Sequence, residues 1–413
     1  MRYHAALAKL PALLILISNV ARAGSQWVLI WLYAFLGGAA AVGEYSLALA
    51  VATPIFIASE MSLRNVYVTL RRPIAFTSYL IVRVVSTSVA LATALALAGI
   101  GVVSLAVLVV IALIKAADSI ADLSYGVLQK EGRLTSIALN SIANSVFTVL
   151  FGVCIYWASR SIELSLIGSL AASAVSAAIV FGPVFRRRPG IDRTPGAPVG
   201  VIRDILRAGV PSGLAFASVS LLTYVPVYFL GVVAGKQAVG TFAVLAYFLV
   251  FANLFYASVQ QSTLHSFVAA QLTSGTSGLF RYALRIGRVL ILFGALSGAL
   301  VLAFGAQFLL LVYGDEFSLS QAEIMPIAAS LVLIPLTYIS GAVLLTKNLY
   351  SVQLVIGLLS LGATVGIGFA IVEDFDLAAA GVLVLVGTAL RGVLGASAAA
   401  FVICSNWRDS ASS

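Results

Sequence analysis

Long apolar runs alternate with short polar breaks along nearly the whole chain. A helix that crosses a membrane needs about 20 mostly apolar residues to cover roughly 30 Å of hydrocarbon, and runs of that kind recur throughout the sequence. The pattern predicts twelve helical spans. These spans cover residues 12–36, 45–70, 76–99, 101–128, 134–157, 162–185, 205–231, 239–268, 281–304, 324–346, 350–372 and 377–404.

Composition agrees with a protein embedded in a bilayer. Of the 413 residues, 61% are hydrophobic and only 9% are charged, which is far from the balance of a soluble domain. Continuous apolar runs favour an all-α polytopic membrane protein over a β-barrel. The basic N-terminus resembles a signal peptide, but Arg22 and Gln26 interrupt its apolar run, so we expect the first span to be retained.

Lysine and arginine residues are distributed unequally between alternate loops. If the N-terminus is cytoplasmic, most of them lie on the cytoplasmic side, including the arginines of a proline-containing segment between the sixth and seventh spans. Only Arg160 and Lys236 fall on the opposite side. The positive-inside rule therefore places both termini in the cytoplasm. The predicted domains are a six-helix lobe at 1–185, a basic cytoplasmic linker at 186–204, a second six-helix lobe at 205–404 and a polar tail at 405–413.

A short internal repeat relates the two predicted lobes. Ala-Val-Gly followed two residues later by an aromatic residue occurs at 41–45, where the second span begins, and at 238–242, where the eighth begins. With six spans in each half, both lobes enter the membrane in the same sense, as in parallel repeats related by an axis along the membrane normal. We infer two six-helix lobes around a central cavity.

Charged side chains interrupt four of these spans. Lys115, Asp118 and Asp122 lie in the fourth span, and their offsets of three and seven residues place them on one helical face. A charge near the centre of a bilayer costs about 2.5 to 3.5 kcal/mol on the insertion scale, so such a face normally points to protein or water. The remaining charges are Arg22 in the first span, Glu60 and Arg64 in the second, and Arg391 in the twelfth.

Three motifs carry a resemblance to a known family. They are Gly-Glu-Tyr-Ser-Leu-Ala at 43–48 with Pro54, Tyr-Gly-Val-Leu-Gln-Lys-Glu-Gly-Arg at 125–133, and Tyr-Gly-Asp-Glu-Phe at 313–317. Together they resemble the bacterial polysaccharide and O-antigen flippases, which form the polysaccharide-transporter branch of the multidrug/oligosaccharidyl-lipid/polysaccharide (MOP) superfamily.

The resemblance implies a flippase of the bacterial inner membrane that works without a cofactor. Its substrate would be an undecaprenyl-diphosphate-linked oligosaccharide or polysaccharide repeat unit, moved to the periplasmic face by alternating access. Other polysaccharide-assembly proteins would be its partners. The net charge of +9 is accounted for by topology, so we expect no nucleic-acid partner.

Under this resemblance the intramembrane charges have two alternative roles. The candidate substrate-binding residues are the cations Arg22, Arg64, Lys115 and Arg391, because a guanidinium fork suits phosphate oxygens and lysine supplies a point charge. Alternatively, Glu60 pairs with Arg64, and Lys115 with Asp118, to hold helices together. Asp118 and Asp122 are also candidates for proton coupling, since neighbouring carboxylates tend to share a proton.

Two further features are interpreted as structural. Arg83, near the cytoplasmic start of the third span, is expected to extend its charged end to the interface. Two pairs of glycines, Gly294 with Gly298 and Gly362 with Gly366, have the spacing that permits close helix packing.

Other functions fit the sequence less well. The chain has only two histidines, no metal-binding cluster and no Walker-type loop, and a glycan polymerase or ligase would need a larger periplasmic loop than any predicted here. A multidrug or organic-cation exporter of the same superfamily should have an anionic cavity. The intramembrane charges are instead slightly cationic, which favours an anionic substrate.

Overall fold

The chain is helical throughout the residues that the structure describes. The structure is a computed structural model, and it describes residues 2–69, 74–98, 103–187, 199–347 and 349–411. The helices in these ranges are α1 (Arg2–Glu60), α2 (Leu63–Thr69), α3 (Phe76–Ala98), α4 (Leu105–Lys130), α5 (Leu134–Ser159), α6 (Ile162–Arg187), α7 (Val199–Val233), α8 (Gly235–Tyr313), α9 (Gln321–Thr346), α10 (Tyr350–Ala370) and α11 (Leu377–Ala411). The described residues of the twelve predicted spans lie almost entirely on helices, which confirms the all-α prediction. Most of the predicted linker, at 188–198, lies outside the described residues.

Two helical stretches are long enough to cross a bilayer twice. One runs over Ile17–Val68 (52 residues) and the other over Gly235–Tyr313 (79 residues); at 1.5 Å per residue the second corresponds to about 120 Å. Each bends at one glycine, Gly38 with φ 71° and Gly275 with φ 61°. Only glycine adopts this region of backbone space at low cost. Single-residue bends therefore replace the longer loops predicted at these two points.

The chain is a multi-pass membrane protein. Nine stretches of its described part have the length and hydropathy of a membrane span. Helix α4 is not one of them, because three charged residues lie within its apolar run. Large apolar side chains such as Val89 and Leu292 are exposed to the surroundings, as expected for a surface that contacts lipid.

Contacts divide the chain into two compact units, Met1–Ser220 and Leu221–Ser413. In the first unit α1 packs against α3, α4 and α5, while α6 packs against α4 and α5. In the second unit α9 is central and packs against both α8 and α11. The lobe boundaries predicted at residues 185 and 205 stay a prediction.

The internal repeat has a structural counterpart. When the two Ala-Val-Gly motifs are aligned, Gly38 matches Gly235, and both have a positive φ, of 71° and 78° respectively. The valines that follow, Val42 and Val239, are both completely buried. The two halves of the chain therefore change direction at the same point of the repeat.

The two glycine pairs differ in their packing. A Cβ atom added at Gly294 or Gly298 would lie 2.8 Å or 2.6 Å from a backbone oxygen of α9, so the predicted close packing is confirmed for this pair. A Cβ atom at Gly362 or Gly366 would meet no described atom within 4 Å. The packing prediction for the second pair is wrong, since glycine spacing alone does not say which helix face has a neighbour.

Candidate functional site

The first unit contains a cluster of charged side chains on four neighbouring helices. Asp122 of α4 is at its centre and pairs with two arginines: its Oδ1 lies 3.4 Å from Nη1 of Arg64 on α2, and its Oδ2 lies 3.4 Å from Nη2 of Arg83 on α3. Glu60, at the end of α1, lies within electrostatic range of Asp122, Arg83, Lys115 and Asp118. We call these six residues the charge cluster.

Arg83 is the most deeply buried member of the cluster. Its side chain is 0% exposed, and besides Asp122 it contacts Ser119, to whose Oγ atom Nη1 donates a hydrogen bond of 3.0 Å. The prediction that Arg83 extends to the interface is therefore wrong. The reason is that Ser119 and Asp122 provide partners inside the unit, which offset the cost of burying a guanidinium group.

Arg64 of α2 makes several contacts with α4. Its Nε atom donates a hydrogen bond of 2.9 Å to Oε1 of Gln129, and its guanidinium carbon lies 5.7 Å from the centre of the Tyr125 ring. Both partners follow Asp122 on α4, so one face of α4 receives the whole side chain. Gly126 opens this face, since a Cβ atom there would lie 3.4 Å from Cγ of Arg64.

The structure does not pair Glu60 with Arg64, although they lie four residues apart. The helix ends at Glu60, and the next two residues have left-handed backbone conformations before α2 begins. The i, i+4 geometry on which the predicted pair depended is therefore lost. Arg64 is directed to Asp122 instead.

Lys115 and Asp118 lie on the same face of α4 as Asp122, two turns and one turn before it, respectively. Both are half-buried and lie within electrostatic range of Glu60 on α1. The shared face predicted from their spacing thus meets α1, α2 and α3. Proton coupling through Asp118 or Asp122 stays a prediction.

Arg22 lies in the same unit but bonds elsewhere. It is exposed, and its Nη2 atom donates a hydrogen bond of 3.4 Å to Oγ of Ser141 on α5. Among the described residues no carboxylate forms an ion pair with it.

Arg391 lies in the second unit, on α11, among neutral polar groups. It is within electrostatic range of Tyr338 on α9. The Tyr338 hydroxyl donates a hydrogen bond of 3.1 Å to Oδ1 of Asn253, and Nε2 of Gln260 donates one of 2.8 Å to the Tyr338 carbonyl. In the described part of this unit no carboxylate pairs with Arg391.

The charges thus divide into two kinds. Inside the charge cluster three cations, Arg64, Arg83 and Lys115, are balanced by three carboxylates. Arg22 and Arg391 have only neutral partners, so each can accept an anion without first losing an internal ion pair. The described residues contain no group of histidine, cysteine and carboxylate side chains that could hold a metal ion.

Sequence reasoning missed several polar residues of the site. The sequence predicts an interfacial position for Arg83, and its charge pattern does not indicate the neutral groups Asn253, Gln260 and Tyr338. Asn253 and Gln260 are seven residues apart and share one face of α8. Two amide side chains at that spacing in an apolar span indicate a polar helix face, just as the intramembrane charges do.

Comparison with known proteins gives relatives in sequence and in fold. No family model matches the chain. The sequence is 23% identical over 375 residues to the capsular polysaccharide biosynthesis protein CapF of Staphylococcus aureus, which corresponds to 90% of this chain and 93% of that protein.

The solved structures with a similar fold are transporters. An inward-facing multidrug resistance MATE family transporter of the MOP superfamily has a TM-score of 0.68 at 17% identity, covering 96% of this chain and 95% of that chain. A MOP superfamily transporter from Pyrococcus furiosus has a TM-score of 0.63 at 17% identity, covering 96% of both chains. At these identities the likeness establishes the fold. With the CapF relative, it confirms that this chain resembles the polysaccharide-transporter branch of the MOP superfamily, as its motifs indicated.

Proposed function

We propose that this protein exports a lipid-linked glycan across the bacterial inner membrane. The substrate is an oligosaccharide or polysaccharide repeat unit carried on undecaprenyl diphosphate, and the protein moves it to the periplasmic face by alternating access. The observation that carries the proposal is that Arg22 and Arg391 lie in apolar helices without a carboxylate partner among the described residues. The MOP transporter fold and the capsular polysaccharide relative support the same reading.

A diphosphate suits these two arginines. A guanidinium group in an apolar helix is costly unless it meets an anion, water or a polar neighbour. Phosphate oxygens accept two parallel hydrogen bonds from one arginine, which adds both affinity and a fixed orientation. On this proposal Arg22 and Arg391 are each, within their own unit, a contact for substrate phosphate oxygens, whereas Arg64 and Lys115 reach phosphate oxygens only if their internal partners are displaced.

The neutral groups near Arg391 suit the glycan part of the substrate. Sugar hydroxyl groups both donate and accept hydrogen bonds, and Asn253, Gln260 and Tyr338 provide amide and hydroxyl groups of both kinds. Tyr338 is also stacked at 5.9 Å on the buried Tyr256, which fixes the Tyr338 ring beside these polar atoms. We assign this part of the second unit to saccharide contacts.

An organic-cation exporter is the alternative, because MATE family multidrug transporters share the fold. A cationic drug would need uncompensated carboxylates in the translocation path. In the described helices Arg22 and Arg391 have no carboxylate partner, while the three carboxylates of the charge cluster lie near an equal number of cations and Asp122 is paired with two of them. The sign of the available charge therefore favours the anionic substrate.

A reconstituted flippase assay tests the proposal. Purified protein is placed in liposomes with a fluorescent undecaprenyl-diphosphate-linked oligosaccharide, and a membrane-impermeant quencher reports how fast the inner-leaflet pool becomes accessible. We expect Arg22→Ala and Arg391→Ala to abolish translocation, and the corresponding lysine variants to keep part of it because the charge remains. Arg207→Ala, at an exposed position on α7, is the matched control.

The same liposomes distinguish the two functions. Wild-type rates in both alanine variants would refute the diphosphate role of the arginines. Transport of ethidium with no movement of the glycan lipid would favour the organic-cation exporter. Association with other polysaccharide-assembly proteins is part of the proposal and is testable by crosslinking in cells that make the glycan.

A further inference from the structure

The joint between α1 and α2 has an unusual backbone. Met61 and Ser62 both have φ of 48°, in the left-handed region that residues with a side chain rarely adopt. Two such residues in succession persist only where the surrounding structure holds them. They separate two charged residues of the cluster, Glu60 at the end of α1 and Arg64 in the first turn of α2.

Helix α7 holds the outer side of this joint. A Cβ atom added at Gly209 would lie 2.8 Å from the Met61 carbonyl oxygen, and one added at Gly213 would lie 2.8 Å from Cα of Met61 and 2.9 Å from the Ala58 oxygen. These distances are too short for any side chain. The backbones of α7 and the joint are therefore in direct contact, and the two glycines define where the joint lies.

Helix α2 is held on its inner side by charged, aromatic and apolar contacts, the last from the buried residues Leu63 and Val66. Arg64 pairs with Asp122 and Gln129 of α4, and Tyr67 packs edge-on against Tyr79 of α3, with 5.2 Å between ring centres. An isolated helix of seven residues is too short to be stable by itself. Its position in the protein therefore depends on these tertiary contacts.

The carboxylate of Asp122 is in position to pair with Arg64 of α2 because Arg83 fixes it from the other side. Arg83 is fully buried and is fixed by Ser119, whereas Arg64 and Asp122 keep 27% and 31% of their side-chain surface exposed. The pair on the α2 side is thus accessible to a competing anion, while the pair on the α3 side is not. The more exposed pair is the one that can open.

We propose that Arg83, Asp122 and Arg64 form a latch that holds α2 closed on α3 and α4, and that the left-handed joint at Met61–Ser62 is the pivot about which α2 moves when the latch opens. Arg83 and Asp122 are positioning residues for Arg64. The trigger is the event that opens the latch, and its assignment rests on the proposed function: the diphosphate of the substrate replaces Asp122 as the partner of Arg64.

Distance measurements by pulsed electron paramagnetic resonance test the latch without any transport assay. The native Cys154 is exposed on α5, and Asn65 is the exposed position of α2. Spin labels at Cys154 and Asn65→Cys, with Cys404→Ser, report the position of α2. Lys130 lies 4.9 Å from the Tyr67 ring, so α2 is near the start of α5, and Cys154 lies about 30 Å further along that helix.

We expect one narrow distance distribution in the otherwise unchanged protein in nanodiscs. Asp122→Asn should broaden it or add a second population, and Asp118→Asn, one turn earlier on α4 and outside the latch, should leave it unchanged. If Asp122→Asn does not accumulate, the same distance is measured in Arg64→Gln. This variant removes only the ion pair on the α2 side of the latch and leaves Arg83 paired with Asp122. An unchanged distribution in the variant that accumulates would overturn the latch.

The pivot and the trigger have separate tests. Gly213→Ala should shift the distance, because its Cβ atom collides with the joint, whereas Gly200→Ala on the same helix meets no described atom within 4 Å and should not. No shift in Gly213→Ala would refute the pivot. Added to the protein with an unchanged latch, undecaprenyl diphosphate should produce the second population to a greater extent than undecaprenyl monophosphate does. Equal responses would refute the trigger, while the variant results would still decide the latch.

Discussion

The ion pair between Arg83 and Asp122 predicts an unequal response to removing either partner. In Asp122→Leu, the fully buried Arg83 loses its paired carboxylate and keeps the hydrogen bond to Ser119, with Glu60 only within electrostatic range. Breaking a buried pair in this way costs about 3–5 kcal/mol, because an uncompensated charge is left inside. In Arg83→Met, Asp122 is 31% exposed and still pairs with Arg64, so the loss is closer to that of one buried polar contact, about 1–3 kcal/mol.

The double variant, Arg83→Met with Asp122→Leu, completes the cycle. Replacing both charges by apolar side chains of similar size removes the pair together with its desolvation cost, and this is often neutral or favourable. The double variant should therefore be more stable than Asp122→Leu alone, with a coupling free energy of about 1–3 kcal/mol between the two sites.

The measurement is unfolding of the purified protein by sodium dodecyl sulfate in mixed micelles, followed by circular dichroism and tryptophan fluorescence. Coincident transitions in the two signals establish that a free energy of unfolding can be assigned. A double variant as unstable as Asp122→Leu would show that Arg83 is stabilised by something other than Asp122. A larger loss in Arg83→Met than in Asp122→Leu would refute the assignment of Arg83 as the buried charge.

Two other predictions concern packing and topology. Gly298→Leu should destabilise the second unit by more than Gly362→Leu, because the Cβ atom at Gly298 would lie 2.6 Å from the Ala328 oxygen while Gly362 has open space; thermal unfolding in detergent compares the two variants. Cysteine labelling in intact cells should place Arg186→Cys in the cytoplasm and Asp315→Cys in the periplasm, and finding both on one side would contradict the twelve-span topology.

The spans were predictable from sequence because the length of an apolar run is a local property. Each run is long enough to cross a bilayer by itself, so no knowledge of its neighbours was needed. The connections were less predictable. Glycine favours both loops and single-residue bends, and the sequence around Gly38 and Gly275 does not distinguish a loop of several residues from the sharp bend that the structure contains.

The charged residues were also predictable, but their partners were not. Lys115 and Asp122 attract attention because charges are rare in apolar helices. Which helices lie beside α4 depends on the tertiary fold, so pairing was sought between near neighbours in sequence. Arg83, which is distant from Asp122 along the chain, was assigned to the interface. The joint at Met61–Ser62 has no sequence signal, because neither residue type is typical of a left-handed backbone.

The internal repeat explains why the latch belongs to one half of the chain only. Both halves bend at equivalent glycines, Gly38 and Gly235, so this bend is a property of the repeated unit. In the same alignment Ser258 occupies the position of Met61, and there α8 is continuous, with the Ser258 hydroxyl donating to the Leu254 carbonyl one turn earlier. The left-handed joint has therefore no counterpart in the second half. Within the described residues, the ion-paired cluster lies in the half that has the joint, whereas Arg391 in the other half lies within electrostatic range of the neutral Tyr338. A device that moves one short helix needs both a pivot and a contact that can open, and the described part of the first unit combines the two.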